Sequence, residues 1–237
     1  MDQSKLQQHY SQQYNAELEE IRTAVLSMGG LVEQQLELAL GALGQGDSNQ
    51  GETVVANDYQ VNALDVDIDE RCTTIIARRQ PTASDLRLVM TVIKTTADLE
   101  RIGDEAKRVA RMAIRLSDSD HGRSLFLQLE HLGNQVREML HAALDAYARM
   151  DVQAALAVAH QDDRVDTEYE NILRQAITYM MEDPRSIPLV LDIIWSARAL
   201  ERIGDRCCNI SEYVIYFVKG KDVRHTTLDQ LEKEVKK

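Results

Sequence analysis

The sequence predicts an all-α protein built from two tandem three-helix bundles that are related by internal duplication. The hexapeptide Leu-Glu-Arg-Ile-Gly-Asp occurs at Leu99–Asp104 and again, 101 positions later, at Leu200–Asp205. Aromatic residues make up only 5% of the 237 residues, and Ala, Leu, Glu, Gln and Arg are abundant. Such a composition is typical of long helices that pack on each other. We expect the first bundle to span residues 1–118 and the second to span residues 119–237.

An alignment of the two halves supports the duplication along most of the chain. With an offset of 104 residues, Gly29 coincides with Gly133 and Asp58 with Asp162. After a proline-containing turn the offset becomes 101, as it is between the two hexapeptides. The length difference falls in the turn, where insertions are tolerated best.

Three helices are predicted in the first half. The first spans Ser11–Gly44, because apolar residues recur there at spacings of three and four. These apolar residues are Leu18, Ile21, Val25, Met28, Val32, Leu36, Ala39 and Leu43. Glycines, the last of them Gly46, end this helix, and Asp47 or Ser48 caps a second helix that ends near Arg79.

The second helix carries apolar residues seven apart, as a core-facing stripe does. They are Val54, Val61, Ile68 and Ile75. The third helix is predicted from Ser84 to about Leu116, after a stop formed by Gln80 and Pro81. The second half repeats this pattern, with helices at Arg123–Arg149, Asp151–Met181 and Ser186–Val218. The segment after Lys219 is polar, so we expect an irregular tail there.

Composition and charge exclude several classes of protein. The net charge of −12 disfavours binding to nucleic acids. Cys72, Cys207 and Cys208 are odd in number with two of them adjacent, which indicates no disulfide framework and a reducing compartment. No N-terminal signal core is visible, and no apolar run approaches the roughly 20 residues that span a bilayer. We therefore expect a cytoplasmic protein.

Each hexapeptide carries two acidic residues at positions i and i+4. They are Glu100 and Asp104 in the first copy, and Glu201 and Asp205 in the second. This spacing puts both carboxylates on one face of a helix, about one turn apart. Continuing the apolar stripe of the third helix leads to these acids, so they border a packing face. Because buried like charges repel unless a cation lies between them, the duplicated pair predicts a metal site.

The second helix of each half offers a matching pair of polar residues. The pairs are Asp58 with Asn62, and Asp162 with Asp166. Because the third helix runs back along the second, we expect these pairs to face the Glu/Asp pairs across each bundle. Ligation by oxygen alone suits hard cations such as Fe³⁺, Mg²⁺, Mn²⁺ or Ca²⁺, and Zn²⁺ less well.

Two alternatives remain open from the residues alone. In the first, arginines neutralise these acids in ordinary surface networks of a helical scaffold without ions. The arginines concerned are Arg101, Arg108, Arg202 and Arg206. In the second, the lone Glu-x-x-His of Glu138 and His141 belongs to a di-metal carboxylate oxidase. That motif has no counterpart in the first half, and no P-loop, nucleophile elbow or dinucleotide fingerprint is present, so we do not expect an enzyme.

Several segments resemble the PhoU family of bacterial phosphate-uptake regulators. Besides both hexapeptides, they are Tyr14–Glu19, Ile76–Val89, Tyr179–Asp183 and Val218–Gly220. The likeness covers nearly the whole chain without a large insertion. The doubled Glu-x-x-x-Asp motif within a three-helix repeat is its most specific part.

The resemblance implies metal ions or multinuclear clusters at the two Glu-x-x-x-Asp motifs, with Fe, Mg, Mn or Zn as candidates. It also implies a cytoplasmic adaptor, held at the inner membrane through its partners, between the ATPase subunit of the phosphate ABC transporter and the sensor histidine kinase of the phosphate regulon. Such proteins restrain uptake and kinase signalling when phosphate is plentiful, and they often form homodimers. Asn62 replaces the acid present at Asp166, so we expect weaker metal binding in the first half.

Overall fold

A computed structural model describes residues 3–117 and 123–236, with side chains from 12 to 117 and from 125 to 236. This part of the chain is helical and contains no β-strand, and none of its helices is long and apolar enough to cross a membrane. The helices are α1 (Gln3–Gln45), α2 (Ser48–Asn57), α3 (Tyr59–Arg79), α4 (Ala83–Leu116), α5 (Arg123–Arg149), α6 (Val152–Glu182), α7 (Ile187–Lys219) and α8 (Leu228–Val235), with a 3-10 turn at Pro184–Ser186 before α7. The predicted boundary between residues 118 and 119 lies outside the described residues.

The turns that end α1 and α5 are built in the same way. Gly46 and Met150, which are 104 residues apart, both adopt the left-handed conformation, with φ of 67° and 51°. Asp47 and Asp151 follow and cap the next helix, each accepting hydrogen bonds from two backbone N–H groups of its first turn. The cap predicted at Asp47 is therefore confirmed, and Asp151 forms the same cap in the second half.

The prediction of one unbroken second helix in the first half is wrong. The helix is interrupted at Asp58, between α2 and α3, whereas α6 continues through the equivalent Asp162. The Asp58 carbonyl accepts from the N–H of Val61 at 3.0 Å, as in a 3-10 turn, and from that of Asn62 at 3.3 Å. This shared acceptor tightens the chain locally, although Asp58 keeps right-handed helical dihedrals of φ −54° and ψ −30°.

The core lies along the faces that the apolar spacing predicts in α1, α2 and α3. All eight apolar residues predicted for α1 and all four predicted for the second helix are buried. In α4 the core-facing side includes Val89, Val92 and Leu99, which are fully buried, whereas Leu86 is 39% exposed. The acids of α4 consequently lie at the edge of the core.

The two halves pack side by side, with α4 along α7 and α1 along α5. Glycines on α1 and α5 receive leucines from the opposite half in a reciprocal manner. Leu144 fills the space over Gly29, and Leu40 fills the space over Gly133. Each residue of one contact is 104 positions from its counterpart in the other, so the duplication produces an approximate two-fold relation at this seam.

The segment after α7 is more ordered than its polar composition suggests. Gly220 ends α7 in the left-handed conformation, and Thr227 and Gln230 then form a capping box that starts α8. Leu231 and Val235 of α8 are buried, and the helix packs against α6. The predicted irregular tail thus contains a helix whose two apolar residues complete the second bundle.

The neighbouring glycines of α1 provide a test of the seam. A Cβ at Gly30 would meet nothing within 4 Å, whereas one at Gly29 would lie 2.6 Å from Leu144 Cδ2. We expect Gly30→Ala to stabilise the protein by about 1 kcal/mol through helix propensity. Gly29→Ala should be about 1–3 kcal/mol less stable than Gly30→Ala because Leu144 must move. Denaturant unfolding measures both values, and equal stability of the two variants would contradict the contact.

Candidate metal centre

The predicted ligands fall into two sets, each drawn from the second and third helices of one half. The first acidic set comprises Asp58, Asn62, Glu100 and Asp104, and the second comprises Asp162, Asp166, Glu201 and Asp205. In each set one pair lies at the start or middle of the second helix and the other pair lies on the third helix. These helices approach closely at glycines, since a Cβ at Gly103 would lie 3.9 Å from Asp58 Oδ1 and one at Gly204 would lie 3.4 Å from Asp162 Oδ1.

Burial differs within each set. Asp58 and Glu201 are only 5% and 9% exposed, whereas Asp104 and Asp205 are exposed to solvent. Glu100 and Asp162 are half-buried, and Asn62 and Asp166 are exposed. Each set therefore has an inner carboxylate beside the core and an outer one that solvent reaches.

A lysine partly offsets the negative charge of the first acidic set. Lys107 Nζ donates to Asp58 Oδ2 at 2.5 Å and to Asp104 Oδ1 at 2.7 Å, and so bridges the two helices. Burial disfavours the ammonium ion, but its hydrogen bonds to Asp104 and Asp58 outweigh this effect and raise the pKa of Lys107. The ammonium thus lies between the carboxylates, where the sequence predicts a metal ion.

Another acid of α3 adds negative charge to the first set. Burial, Asp104 and then Asp65 raise the pKa of Glu100. Asp65 follows Asp58 by seven residues, which is two helical turns, and this spacing would have identified it. Lys107 was equally accessible to sequence reasoning, because it lies three residues after Asp104 on the same face of α4.

The second acidic set has no lysine. Cys208 occupies the position of Lys107, 101 residues later, and its thiol donates a hydrogen bond to Asp162. Burial, and then the charges of Asp166 and Asp205, raise the pKa of Asp162 to about 6. The pKa of Glu201 is also raised, by burial and then by Asp205. These carboxylates are close enough to disfavour one another's ionisation.

One arginine partly compensates this set and leaves buried oxygens without a partner. Arg198 donates to Glu201 Oε1 at 2.6 Å. Glu201 Oε2 and Asp162 Oδ1 are buried and accept no hydrogen bond. Buried polar atoms are nearly always paired in folded proteins, so these oxygens mark a place for a further donor or cation.

The donor sets differ in how well they fit a hard cation. The second offers four carboxylates and the unpaired oxygens of Glu201 and Asp162, which suits Mg²⁺, Mn²⁺ or iron. The first offers three carboxylates and an amide, and its Asp58 Oδ1 is likewise buried and unpaired. What distinguishes it is the Lys107 ammonium, which repels a metal ion. Across residues 12–117 and 125–236, no group of three or more His, Cys, Asp or Glu side chains is positioned closely enough to hold a metal ion as it stands.

The arginines of the motifs bind other acids. Arg101 and Arg206 both contact Asp98, at 3.3 and 3.5 Å. Arg108 and Arg202 both contact Glu105, at 2.9 and 3.2 Å. The alternative in which these four arginines form ion pairs with the motif acids is therefore not what the side chains show. Asp98, which is 1% exposed, was missed by sequence reasoning because nothing in the local pattern distinguishes it.

The Glu-x-x-His of α5 lies apart from both acidic sets. Glu138 and His141 are exposed, and His141 Nδ1 lies 2.7 Å from Glu33 Oε1 of α1. Both residues therefore lie on the surface of α5. This motif consequently contributes no ligand to either set.

Matched substitutions distinguish the electrostatics of the two sets. In EDTA at pH 8, Asp162→Asn should raise Tm by about 2–4 °C, since it removes a charge that is repelled. The gain should shrink below about pH 6, where the carboxyl of Asp162 is protonated in the folded protein and no longer opposes folding. Asp58→Asn should instead lower Tm, because Lys107 loses a partner. Thermal unfolding measures both, and shifts of the same sign would contradict this assignment.

Comparisons with known proteins agree with this architecture. A family model described as the PhoU domain matches residues 25–113 and 129–214. The phosphate-specific transport system accessory protein PhoU of Serratia marcescens is 54% identical over 233 residues, covering 98% of this chain and 96% of the relative. The protein of the same name from Escherichia coli K12 is 52% identical over 233 residues, with the same coverage of 98% and 96%.

Two solved structures share the fold. The crystal structure of PhoU from Pseudomonas aeruginosa superposes with a TM-score of 0.85 at 51% identity and covers 88% of this chain and 100% of that one. The phosphate transport system regulatory protein PhoU from Streptococcus pneumoniae gives a TM-score of 0.82 at 28% identity and covers 89% of this chain and 99% of that one. The prediction of an all-α fold from duplicated bundles is confirmed, and the chain belongs to the PhoU family.

Proposed function

We propose that this chain is a negative regulator of phosphate uptake and of phosphate-regulon signalling. The observation that carries the proposal is the 54% identity over 98% of the chain to a protein named as an accessory of phosphate-specific transport. Relatives with this name are accessory proteins and not enzymes, in agreement with the expectation of no catalytic activity. The chain acts in the cytoplasm, at the inner membrane through its partners, and as a homodimer.

The adaptor role places the chain between the ATPase subunit of the phosphate ABC transporter and the sensor histidine kinase of the regulon. An apolar stripe on α7 supports a protein contact. Ile187, Leu191 and Trp195 follow at intervals of four residues and are 39%, 43% and 54% exposed. Contiguous exposed apolar side chains of this kind mark interaction surfaces. We assign the stripe to the ATPase subunit, since the names of the relatives connect them to the transporter.

Metal binding is part of the proposal, and the second acidic set is its main site. Asp162, Asp166, Glu201 and Asp205 would hold the ion, which would be Fe, Mg, Mn or Zn. A bound cation supplies positive charge that offsets their mutual repulsion, and thereby joins α6 to α7. The first acidic set binds metal more weakly, because Lys107 already supplies a positive charge there and Asn62 replaces a carboxylate.

A di-metal carboxylate oxidase is not favoured. Such bundles use Glu-x-x-His motifs whose histidines project into the bundle. His141 is instead exposed and contacts Glu33 of α1. The accessory role named for the relatives points in the same direction.

Mn²⁺ binding by equilibrium dialysis tests the metal sites. Glu201→Ala/Asp205→Ala should weaken binding by about tenfold or more, because it removes two ligands of the second set. Glu100→Ala/Asp104→Ala should change the measured affinity little, while Lys107→Ala should add binding in the first set. Equal Mn²⁺ binding by the wild type and all three variants would reject both sites.

Capture of the purified ATPase subunit tests the adaptor role. Trp195→Ala should weaken binding by about tenfold, since a central tryptophan often dominates an interface. Met181→Ala on α6, where the side chain is 80% exposed outside the stripe, is the matched control and should leave binding unchanged. In cells, Trp195→Ala should derepress a phosphate-regulon reporter at high phosphate. If Trp195→Ala captures the ATPase subunit and represses the reporter as well as the wild type does, the stripe is not the binding surface for that subunit.

A further inference from the structure

A cleft between α4 and α7 is lined entirely by charged side chains. It encloses about 670 Å³, and seven of its ten lining residues are arginine or lysine. Arg101, Arg108 and Arg111 come from α4, and Arg198, Arg202 and Arg206 from α7. The whole chain carries a net charge of −12, so this concentration of positive charge is local to the groove. We call it the arginine cleft.

Three acids, Asp104, Glu105 and Asp205, complete the lining of the arginine cleft and are outnumbered by its seven cationic side chains. These acids and the neighbouring Asp98 do not use up the hydrogen-bond donors of the arginines. Glu105 serves both Arg108 and Arg202, and the buried Asp98 serves both Arg101 and Arg206. Asp98 also accepts from the hydroxyl of Tyr213 at 2.9 Å. A guanidinium group has five N–H donors, and the carboxylates of Glu105 and Asp98 are each shared between two arginines. Most donors of these arginines therefore remain available.

Arg111 extends the positive charge beyond these pairs. It is exposed and forms no ion pair with the acids of the described chain. It lies ten residues after Arg101 on α4, which corresponds to about 15 Å along the helix axis. The positively charged wall is therefore longer than a single phosphate ion.

The chemistry of the lining selects the class of ligand. Guanidinium groups match the oxygens of phosphates in bidentate geometry and are less strongly hydrated than ammonium groups. No apolar side chain lines the cleft, so it offers no pocket for the apolar side chains that usually anchor a peptide. We propose that the arginine cleft binds an anion with two or more linked phosphate groups, either free polyphosphate or the phosphate chain of a nucleotide.

Calorimetric titration with tripolyphosphate tests the proposal directly. The full chain is titrated at about 0.15 M ionic strength, so that weak surface attraction is screened. EDTA is present, which makes the result independent of any metal in the acidic sets. We expect saturable binding of tripolyphosphate and much weaker binding of orthophosphate. ATP and tripolyphosphate are compared to distinguish the sources, since tighter binding of ATP indicates a nucleotide and equal or weaker binding indicates a free chain.

Substitutions identify the site of binding. Arg111→Gln and Arg202→Gln should each weaken binding of tripolyphosphate by about tenfold, the loss of one charge-assisted contact. Arg174→Gln on α6 is the matched control, because Arg174 is exposed and lies outside the cleft. Circular dichroism and Tm verify that each variant is folded.

Four results would overturn the proposal. If tripolyphosphate does not bind, anions with linked phosphate groups are excluded as ligands. Sulfate or orthophosphate that binds as tightly as tripolyphosphate excludes a need for linked phosphates. An oligo-aspartate peptide that binds more tightly assigns the cleft to an acidic protein segment. Unchanged affinity in both Arg111→Gln and Arg202→Gln places any bound anion elsewhere.

Discussion

The repulsion between carboxylates that meet at the edge of the core is the constraint on which the arrangement of both bundles depends. Helix packing brings two pairs of polar residues together in each half, and burial makes their negative charge unfavourable. In the first half an ammonium group from α4 relieves the repulsion. In the second half the relief is incomplete, and the pKa of Asp162 rises to about 6. One ancestral geometry has thus acquired two electrostatic states.

Three substitutions between equivalent positions account for the divergence of the halves. Lys107 corresponds to Cys208, and Asn62 corresponds to Asp166. The third difference is Gln35, which corresponds to Met139. The amide oxygen of Gln35 lies beside Gly103, whereas the sulfur of Met139 lies beside Gly204. The first half therefore has a charged donor, Lys107, beside its inner acid, although Asp58 Oδ1 and Gln35 Oε1 are themselves buried without a hydrogen-bond partner. The second half has weaker donors and apolar neighbours there, so its acids depend more on what solvent or a bound cation supplies.

Much of the fold could be predicted from the sequence, because helix caps and apolar spacing are local signals. The core of α1 and the repeated aspartate caps follow directly from them. The break at Asp58 could not be predicted, since it depends on a shared carbonyl acceptor that no spacing reveals. The candidate site was predicted as two sets of acids, but its balancing charges were not. Whether Lys107 reaches Asp58, or Arg101 turns to Asp98, is decided by side-chain packing between helices rather than by position along one helix.

The exchange of leucines across the seam has a consequence for the independence of the two bundles. Leu40 completes a surface of the second half, and Leu144 completes a surface of the first. If the two bundles were separated, each would expose an apolar leucine side chain and the surface of the glycine that receives the leucine of the other bundle. The chain consequently behaves as a covalently tethered dimer whose members cannot dissociate on dilution. The relative position of the two acidic sets is then fixed by packed side chains at this seam rather than by a linker alone.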